Sequence, residues 1–247
     1  MLNTIVHGEP TAKPPLVIAH GLFGSGRNWG VIAKRLSDER QVIAVDMRNH
    51  GASFWHDDHA YEDLADDLAQ VIPDRADVLG HSMGGKSAMM LALRHPEKVG
   101  RLIVADIAPV TYGHSQQHNI DAMRRVDLSR VTKRSEAAAQ LQGLEPGLAD
   151  FFMQSLDIKD KKWRLNFDAL EANMASILSF PEASGSFDGP VLFLTGALSN
   201  YVLPEHRERI KALFPKTRFA KIPGVGHWLH AEKPREFEAA VRAFLNL

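Results

Sequence analysis

Residues 76–94 read Ala-Asp-Val-Leu-Gly-His-Ser-Met-Gly-Gly-Lys-Ser-Ala-Met-Met-Leu-Ala-Leu-Arg, and their order decides the architecture. A strand is expected over Asp77–Leu79, where apolar Val78-Leu79 leads into the turn, and Met83–Arg94 carries a helical pattern. Between them Gly80-His81-Ser82-Met83-Gly84 spells G-x-S-x-G, a match that carries weight only where a strand runs in and a helix runs out. A turn this tight holds the serine in a strained backbone conformation, and side chains two residues to either side would collide. Glycine at 80 and 84 removes them. Gly85 lets the helix approach the sheet, and the helix N-terminus sets backbone N–H groups beside the serine oxygen. Ser82 is therefore the expected nucleophile.

Outward from the turn, short apolar runs alternate with longer helical patterns, as in a parallel sheet with crossover helices. The strands are expected at Leu16–Ala19, Val42–Val45, Asp77–Leu79, Leu102–Ala105, Val191–Thr195 and Arg218–Ile222, with an edge strand near Leu2–Val6. LVIA, VIAV, LIVA and VLFLT are almost wholly apolar, which suits strands covered on both faces. Helices are expected at Asn28–Leu36, Tyr61–Ile72, Met83–Arg94, Glu205–Phe214 and Pro234–Leu247. The alternation fails between Pro109 and Asp188. There Ser135–Leu144, Gly147–Leu156 and Asn166–Leu178 look amphipathic and no strand is evident, so an all-helical insertion is expected over the C-terminal edge of the sheet.

The composition narrows the chemistry. The 247 residues suit one α/β domain with an insertion. A net charge of -1 gives no reason to expect nucleic acid or an anionic membrane as partner. The chain has no cysteine, which excludes disulfides, thiolate metal sites and cysteine nucleophiles. The start of the chain lacks the pattern of a secretory signal and no apolar run reaches membrane-spanning length, so a cytoplasmic protein is expected.

A serine hydroxyl needs a base. Of the twelve histidines, His227 lies in Pro223-Gly224-Val225-Gly226-His227-Trp228, between the last strand and the last helix, at the sheet edge where the turn around Ser82 opens. His230 is its rival, read as bordering the site or capping the helix. His56-Asp57-Asp58-His59 has the residue types of a metal site but reads as a polar loop, so no metal is expected. The base needs an acid to orient it. The loop Thr195-Gly196-Ala197-Leu198-Ser199-Asn200-Tyr201, where an aspartate commonly follows the glycine, contains none. Asp106 follows the apolar run Leu102–Ala105 directly, and an ionised group there needs a partner. The chain order Ser82, Asp106, His227 is the one expected of this architecture. If Asp106 is not the acid, Asn200 or a carboxylate from the insertion must orient the histidine. Backbone N–H groups of Leu22, in His20-Gly21-Leu22-Phe23-Gly24, and of Met83 are placed to receive a developing oxyanion. Phe23, His81 and Trp228 are expected around the substrate.

The runs HGLFGSGRNW (20–29), VIAVDMRNHGAS (42–53), GHSMGGK (80–86), VADIAPV (104–110) and GVGHWLHAEKP (224–234) resemble those of α/β-hydrolase-fold esterases, in particular the bacterial YbfF-type group. The resemblance covers nearly the whole chain except Gly113–Gly185. It implies a mostly parallel central sheet flanked by helices, with a helical cap inserted after what that fold counts as strand 6, here Leu102–Ala105. Residues 1–109 and 186–247 would form the core and 110–185 the cap. It further implies hydrolysis of small to medium acyl esters, with acyl-CoA thioesters as further candidate substrates and no cofactor. Asn49 departs from the R-G-H-G turn common in the superfamily, a change with little expected effect because asparagine tolerates a left-handed backbone. Asp46 and Arg48, in the same turn, should hold loops together, and Lys86 should be structural.

In the insertion, large apolar residues such as Phe151, Phe152, Met174 and Ile177 should pack the cap, with a minority lining an acyl pocket. The clusters around Arg124, Arg130 and Lys159–Arg164 could meet the phosphates of a coenzyme A ester, or form solvated helix faces. Two other functions are compatible with the same residues: cleavage of a C–C bond in a dicarbonyl or pyruvyl substrate, and ligand reception with slow turnover.

Overall fold

The computed structural model describes residues 1–141, 143–144 and 147–247. Seven strands form the main sheet: β1 (Thr4–His7), β2 (Leu16–Ala19), β3 (Val42–Val45), β4 (Ala76–His81), β5 (Val99–Ala105), and, after the insertion, β8 (Val191–Gly196) and β9 (Thr217–Ile222). Their spatial order is β1-β3-β2-β4-β5-β8-β9, with β1 antiparallel at the edge and every other pairing parallel. β2 and β4, both fully buried, run side by side with Ala19 opposite Gly80. The strand counted sixth in the fold's usual scheme is the fifth in this chain.

Helices cover both faces. α1 (Gly30–Leu36) and α11 (Pro234–Leu245) close one side, where Leu16, Ile18, Trp29, Ile103, Phe237 and Phe244 form one core. α2 (Tyr61–Val71) and α3 (Met83–Arg94) close the other, with Leu64, Leu68, Met89 and Val104 in a larger core that continues into the insertion. α9 (Arg207–Leu213) links β8 to β9, and the short α10 (Leu229–Glu232) precedes α11. The helix expected from Asn28 opens instead as a 3-10 turn over Gly26–Trp29, and the one expected from Glu205 begins with a 3-10 turn at Pro204–His206. At the second, Pro204 favours the start, because proline at the first helical position lacks an N–H that would have no partner there.

The insertion between β5 and β8 is not all helical. It carries α4 (Gln117–Arg124), α5 (Arg134–Ala138), α6 (Leu148–Met153), α7 (Phe167–Ala172) and α8 (Met174–Leu178), and also a hairpin of β6 (Leu156–Asp157) and β7 (Lys162–Trp163). Two-residue strands are too short to show alternation, and the charged turn between them hid the pairing. The helix expected over Ser135–Leu144 is confined to α5, and Gln142 within that span lies outside the described residues. The one expected over Asn166–Leu178 breaks at Asn173, whose side-chain amide donates to the Ala169 and Asp57 carbonyls. No helix among the described residues is long and apolar enough to cross a membrane.

Candidate active site

β4 ends at His81, and Ser82 makes the turn into α3 with φ 54° and ψ -121°. A left-handed serine costs on the order of 1–3 kcal/mol and persists only where the surroundings over-determine it. Here they do: Ser82 N–H donates to the Ala105 carbonyl at the end of β5 (3.1 Å). A Cβ at Gly80 would strike the Gly84 carbonyl, and one at Gly84 would strike the Ala19 and His20 carbonyls. Phe23 (φ 65°) and Asp106 (φ 52°) are also left-handed. All three lie where strands β2, β4 and β5 end.

Asp106 is fully buried directly after β5. Its Oδ2 accepts from His227 Nδ1 at 2.8 Å and from the Ser199 hydroxyl at 2.5 Å, and its Oδ1 accepts from Gly196 N–H at 3.1 Å. An ionised carboxylate only accepts, so the proton of this pair sits on His227 Nδ1 and leaves Nε2 free to act as a base. The loop after β8 has no aspartate, yet it is not idle: Gly196 and Ser199 hold the carboxylate supplied by β5. Tyr201 in the same loop stacks on the His227 ring, with centroids 4.0 Å apart and planes 20° from parallel. Tyr112 locks that arrangement by donating to the Tyr201 carbonyl at 2.7 Å and accepting from Ala108 N–H at 2.9 Å.

The strap Gly21–Gly24 follows β2 and passes against the serine; a methyl at Gly21 would lie 3.2 Å from Ser82 Cβ. Leu22 N–H and Met83 N–H have no acceptor among the described residues, as expected for Met83 at the first position of a helix. Phe23 N–H is taken by His50 Nε2 at 3.2 Å, so it cannot also serve a ligand. Ser82, His227, Leu22, Met83, Phe23, His81 and Trp228 all border one cavity of about 550 Å³. The insertion closes it with Leu148, Phe151 and Phe152 from α6 and Ile177 and Leu178 from α8. Phe151 packs on Trp228 (4.5 Å) and Phe152 edges onto Phe23 (5.7 Å).

His81 reaches this cavity as a buried ring bonded to the His227 carbonyl through Nε2 (2.9 Å), and burial holds its pKa well below the ordinary value. It supports His227 from beneath and has little surface for a ligand. His230 is equally buried, stacked on Trp29 at 4.3 Å, with burial lowering its pKa to about 3. It belongs to the core beneath the site. His56 and His59 part company: His56 is exposed, whereas His59 is buried against Met83 Sδ at 3.3 Å. Among the described residues no histidine, cysteine and carboxylate cluster is arranged to hold a metal. Asp46 ties Gly26 N–H (2.7 Å), Ala52 N–H (2.8 Å) and Asn3 (2.8 Å) together, and Arg48 pairs with Asp67 at 2.6 Å.

Lys86 is the least expected side chain here. It is 1% exposed and donates to the carbonyls of Val110 (2.9 Å), Leu178 (2.8 Å) and Ser179 (2.5 Å), with the Tyr112 ring 4.8 Å away. Burial alone draws its pKa down to about 7; three carbonyls and two aromatic faces favour the charge in return. The sequence marked Lys86 as structural, but not that it ties α8 to the loop after β5.

A family profile described as the alpha/beta hydrolase fold matches residues 14–234. The chain belongs to that family. This α/β hydrolase is 39% identical over 240 residues to esterase YbfF of Escherichia coli, covering 94% of this chain and 93% of YbfF. It is likewise 39% identical over 257 residues to the mouse sn-1-specific diacylglycerol lipase ABHD11, covering 98% of this chain and 83% of the lipase. A solved structure of a marine microorganism esterase superposes with a TM-score of 0.91 at 39% identity, covering 98% of each chain.

Proposed function

We propose that this α/β hydrolase is a serine carboxylic ester hydrolase that works through an acyl-enzyme. The observation that carries the reading is the 2.8 Å pair of His227 Nδ1 and buried Asp106, opening on the cavity that also holds left-handed Ser82. Ser82 attacks the ester carbonyl while His227 Nε2 takes its proton. The oxygen that gains charge is received by the Leu22 and Met83 N–H groups, each worth roughly 3–4 kcal/mol in the transition state. His227 returns the proton to the leaving alcohol, then activates water for the second attack on the acyl-enzyme. Asp106 stays ionised and stabilises the imidazolium. No cofactor takes part in this scheme.

Residues 110–185 act in this reading as a cap between the core segments 1–109 and 186–247. The acyl chain lies among Phe151, Phe152, Leu148 and Ile177, in a space suited to small and medium acyl groups. Thioesters are the finer question. Several of the cap's basic residues are occupied with neighbours, Arg124 with Asp168 and Glu171, Arg164 with Asp157, and Lys162 with Asp160, which favours a solvated charged surface over a phosphate site.

The deciding experiment treats wild type and Ser82→Ala with a fluorophosphonate probe and with p-nitrophenyl esters of graded chain length, alongside acyl-CoA esters. Labelling and turnover in wild type that vanish in Ser82→Ala support the reading. A wild-type protein that neither labels nor hydrolyses any ester overturns it.

A further inference from the structure

Two buried histidines behind the strap have no part in the proton transfers, yet each touches a peptide group next to Leu22. His20 Nε2 accepts from Met47 N–H at 3.0 Å, so its proton sits on Nδ1 and is donated to the Gly21 carbonyl at 2.7 Å. Gly24 N–H donates to the same carbonyl at 3.0 Å. A trans peptide points its C=O and N–H in opposite directions, so fixing the Gly21 oxygen fixes the Leu22 N–H on the other side of the plane. On the next peptide, His50 Nδ1 donates to the Arg48 carbonyl at 2.9 Å, which leaves Nε2 to accept from Phe23 N–H at 3.2 Å. That bond also withdraws Phe23 N–H as a competing donor. The Phe23 carbonyl is held in turn by the Ser155 hydroxyl of the insertion at 2.8 Å.

We propose that His20 and His50 are positioning residues of the oxyanion hole, holding the peptide planes on either side of Leu22 so that its N–H faces the oxygen that gains charge on attack by Ser82. The proposal rests on the ester-hydrolase reading for its catalytic meaning. Each ring is seated by a lone pair that only its neutral form has, His20 Nε2 accepting from Met47 N–H and His50 Nε2 from Phe23 N–H. Burial keeps both rings neutral by drawing their pKa values down, and for His50 the neighbouring His20 and His59 add to the effect. The rings are 5.0 Å apart, so they brace one another. An oxyanion hole acts by being arranged before the reaction, and a donor that must reorient loses most of its effect.

The test compares His50→Gln, whose side-chain oxygen falls near the position of Nε2, with His50→Leu, which cannot accept. A parallel pair is His20→Asn, whose amide can replace the Nδ1 donor, and His20→Ala. Amide hydrogen exchange at Phe23 reads the clamp without reference to turnover. The affinity for a boronic acid that forms a tetrahedral adduct on Ser82 reads the hole. In His50→Leu, Phe23 exchange should quicken and kcat should fall on the order of 10- to 100-fold with KM nearly unchanged, less than complete loss of a donor. Boronate affinity should weaken by the same factor as kcat, and His50→Gln should recover most of both. Equal losses in the Leu and Gln variants, or a fall in kcat with boronate affinity intact, would overturn the proposal. If His50→Leu does not fold, the His20 pair decides by kcat and boronate affinity: losses in Ala that Asn recovers uphold the proposal, and equal losses overturn it. Should wild type hydrolyse no ester, the functional reading falls, and the clamp is judged on exchange alone: faster Phe23 exchange in Leu than in Gln upholds it, and equal rates refute it.

Discussion

The Ser199 hydroxyl and His227 Nδ1 converge on one oxygen, Oδ2 of Asp106, at 2.5 and 2.8 Å. One carboxylate oxygen thus serves both its orienting loop and the imidazole it orients. Asp106→Asn should lower kcat on the order of 10⁴-fold, because the amide stabilises the wrong tautomer of His227. Ser199→Ala removes one of the charge-assisted bonds and should cost roughly tenfold in kcat, with KM little changed. Steady-state kinetics on one p-nitrophenyl ester check both. Activity of Asp106→Asn near wild type would remove Asp106 from the acid role.

Tyr201 stacks on His227, the ring that becomes cationic in the proposed mechanism. A face-on aromatic ring stabilises a cation by about 0.5–2 kcal/mol and also restricts its rotation. Tyr201→Leu should therefore slow kcat by roughly 2- to 30-fold, while Tyr201→Phe, which keeps the stack, should stay near wild type. If Phe is as impaired as Leu, the hydroxyl contact to His114 (3.0 Å) matters more than the stack.

The buried histidines make folding sensitive to acid. Burial, the largest cause in each case, lowers the pKa of His20, His50, His59, His81 and His230, to about 3 for His59 and His230. The unfolded chain takes up protons near the ordinary histidine value of about 6.5, but in the folded protein these rings take them up only at lower pH. Stability is therefore complete above about pH 6.5 and declines below it, by about 1.4 kcal/mol per pH unit for each such histidine. Urea unfolding at a series of pH values between about 7 and 4 measures the slope. A curve that stays flat through that range would contradict neutral burial.

Lys86 ties the insertion to the core, so Lys86→Met should release α8. Its loss leaves the Val110, Leu178 and Ser179 carbonyls without their ammonium donor, at a cost on the order of 3 kcal/mol. Limited proteolysis should cut near residues 178–187 before the sheet is attacked, and Tm should fall. Cleavage beginning elsewhere, with Tm unchanged, would deny the clamp.

The sheet was legible because its strands are almost uninterrupted apolar runs, and Met83–Arg94 was read to the residue because the glycines around Ser82 mark its start. Asp106 and His227 could be read as partners for the same reason: both follow strands that end at one edge. The insertion resisted. Its helices are short, α4 offers few apolar positions, and β6 and β7 pair too briefly to show a period. Around the site, the missed residues act through geometry that no linear pattern encodes. Ser199 and Tyr201 lie in a loop that stands out only for its lack of an aspartate, and His20 and His50 lie in loops where nothing linear singles them out. Their roles depend on which nitrogen carries the proton, and that is set by Met47 and Arg48 of a distant turn.

Asn49 looked like a tolerable exchange for glycine, and its φ of 66° agrees. Its buried side chain nevertheless accepts from His56 N–H (2.8 Å) and from Asn166 Nδ2 (3.0 Å), and its carbonyl accepts from Asn166 N–H (3.0 Å). Asn166 opens α7, and Leu165 bridges to His50. The seam between the insertion and the core thus runs through the turn that steadies the strap. Transplanting this insertion into a relative to alter acyl preference would therefore require moving Asn49 together with Asn166, because a glycine host lacks one half of the joint.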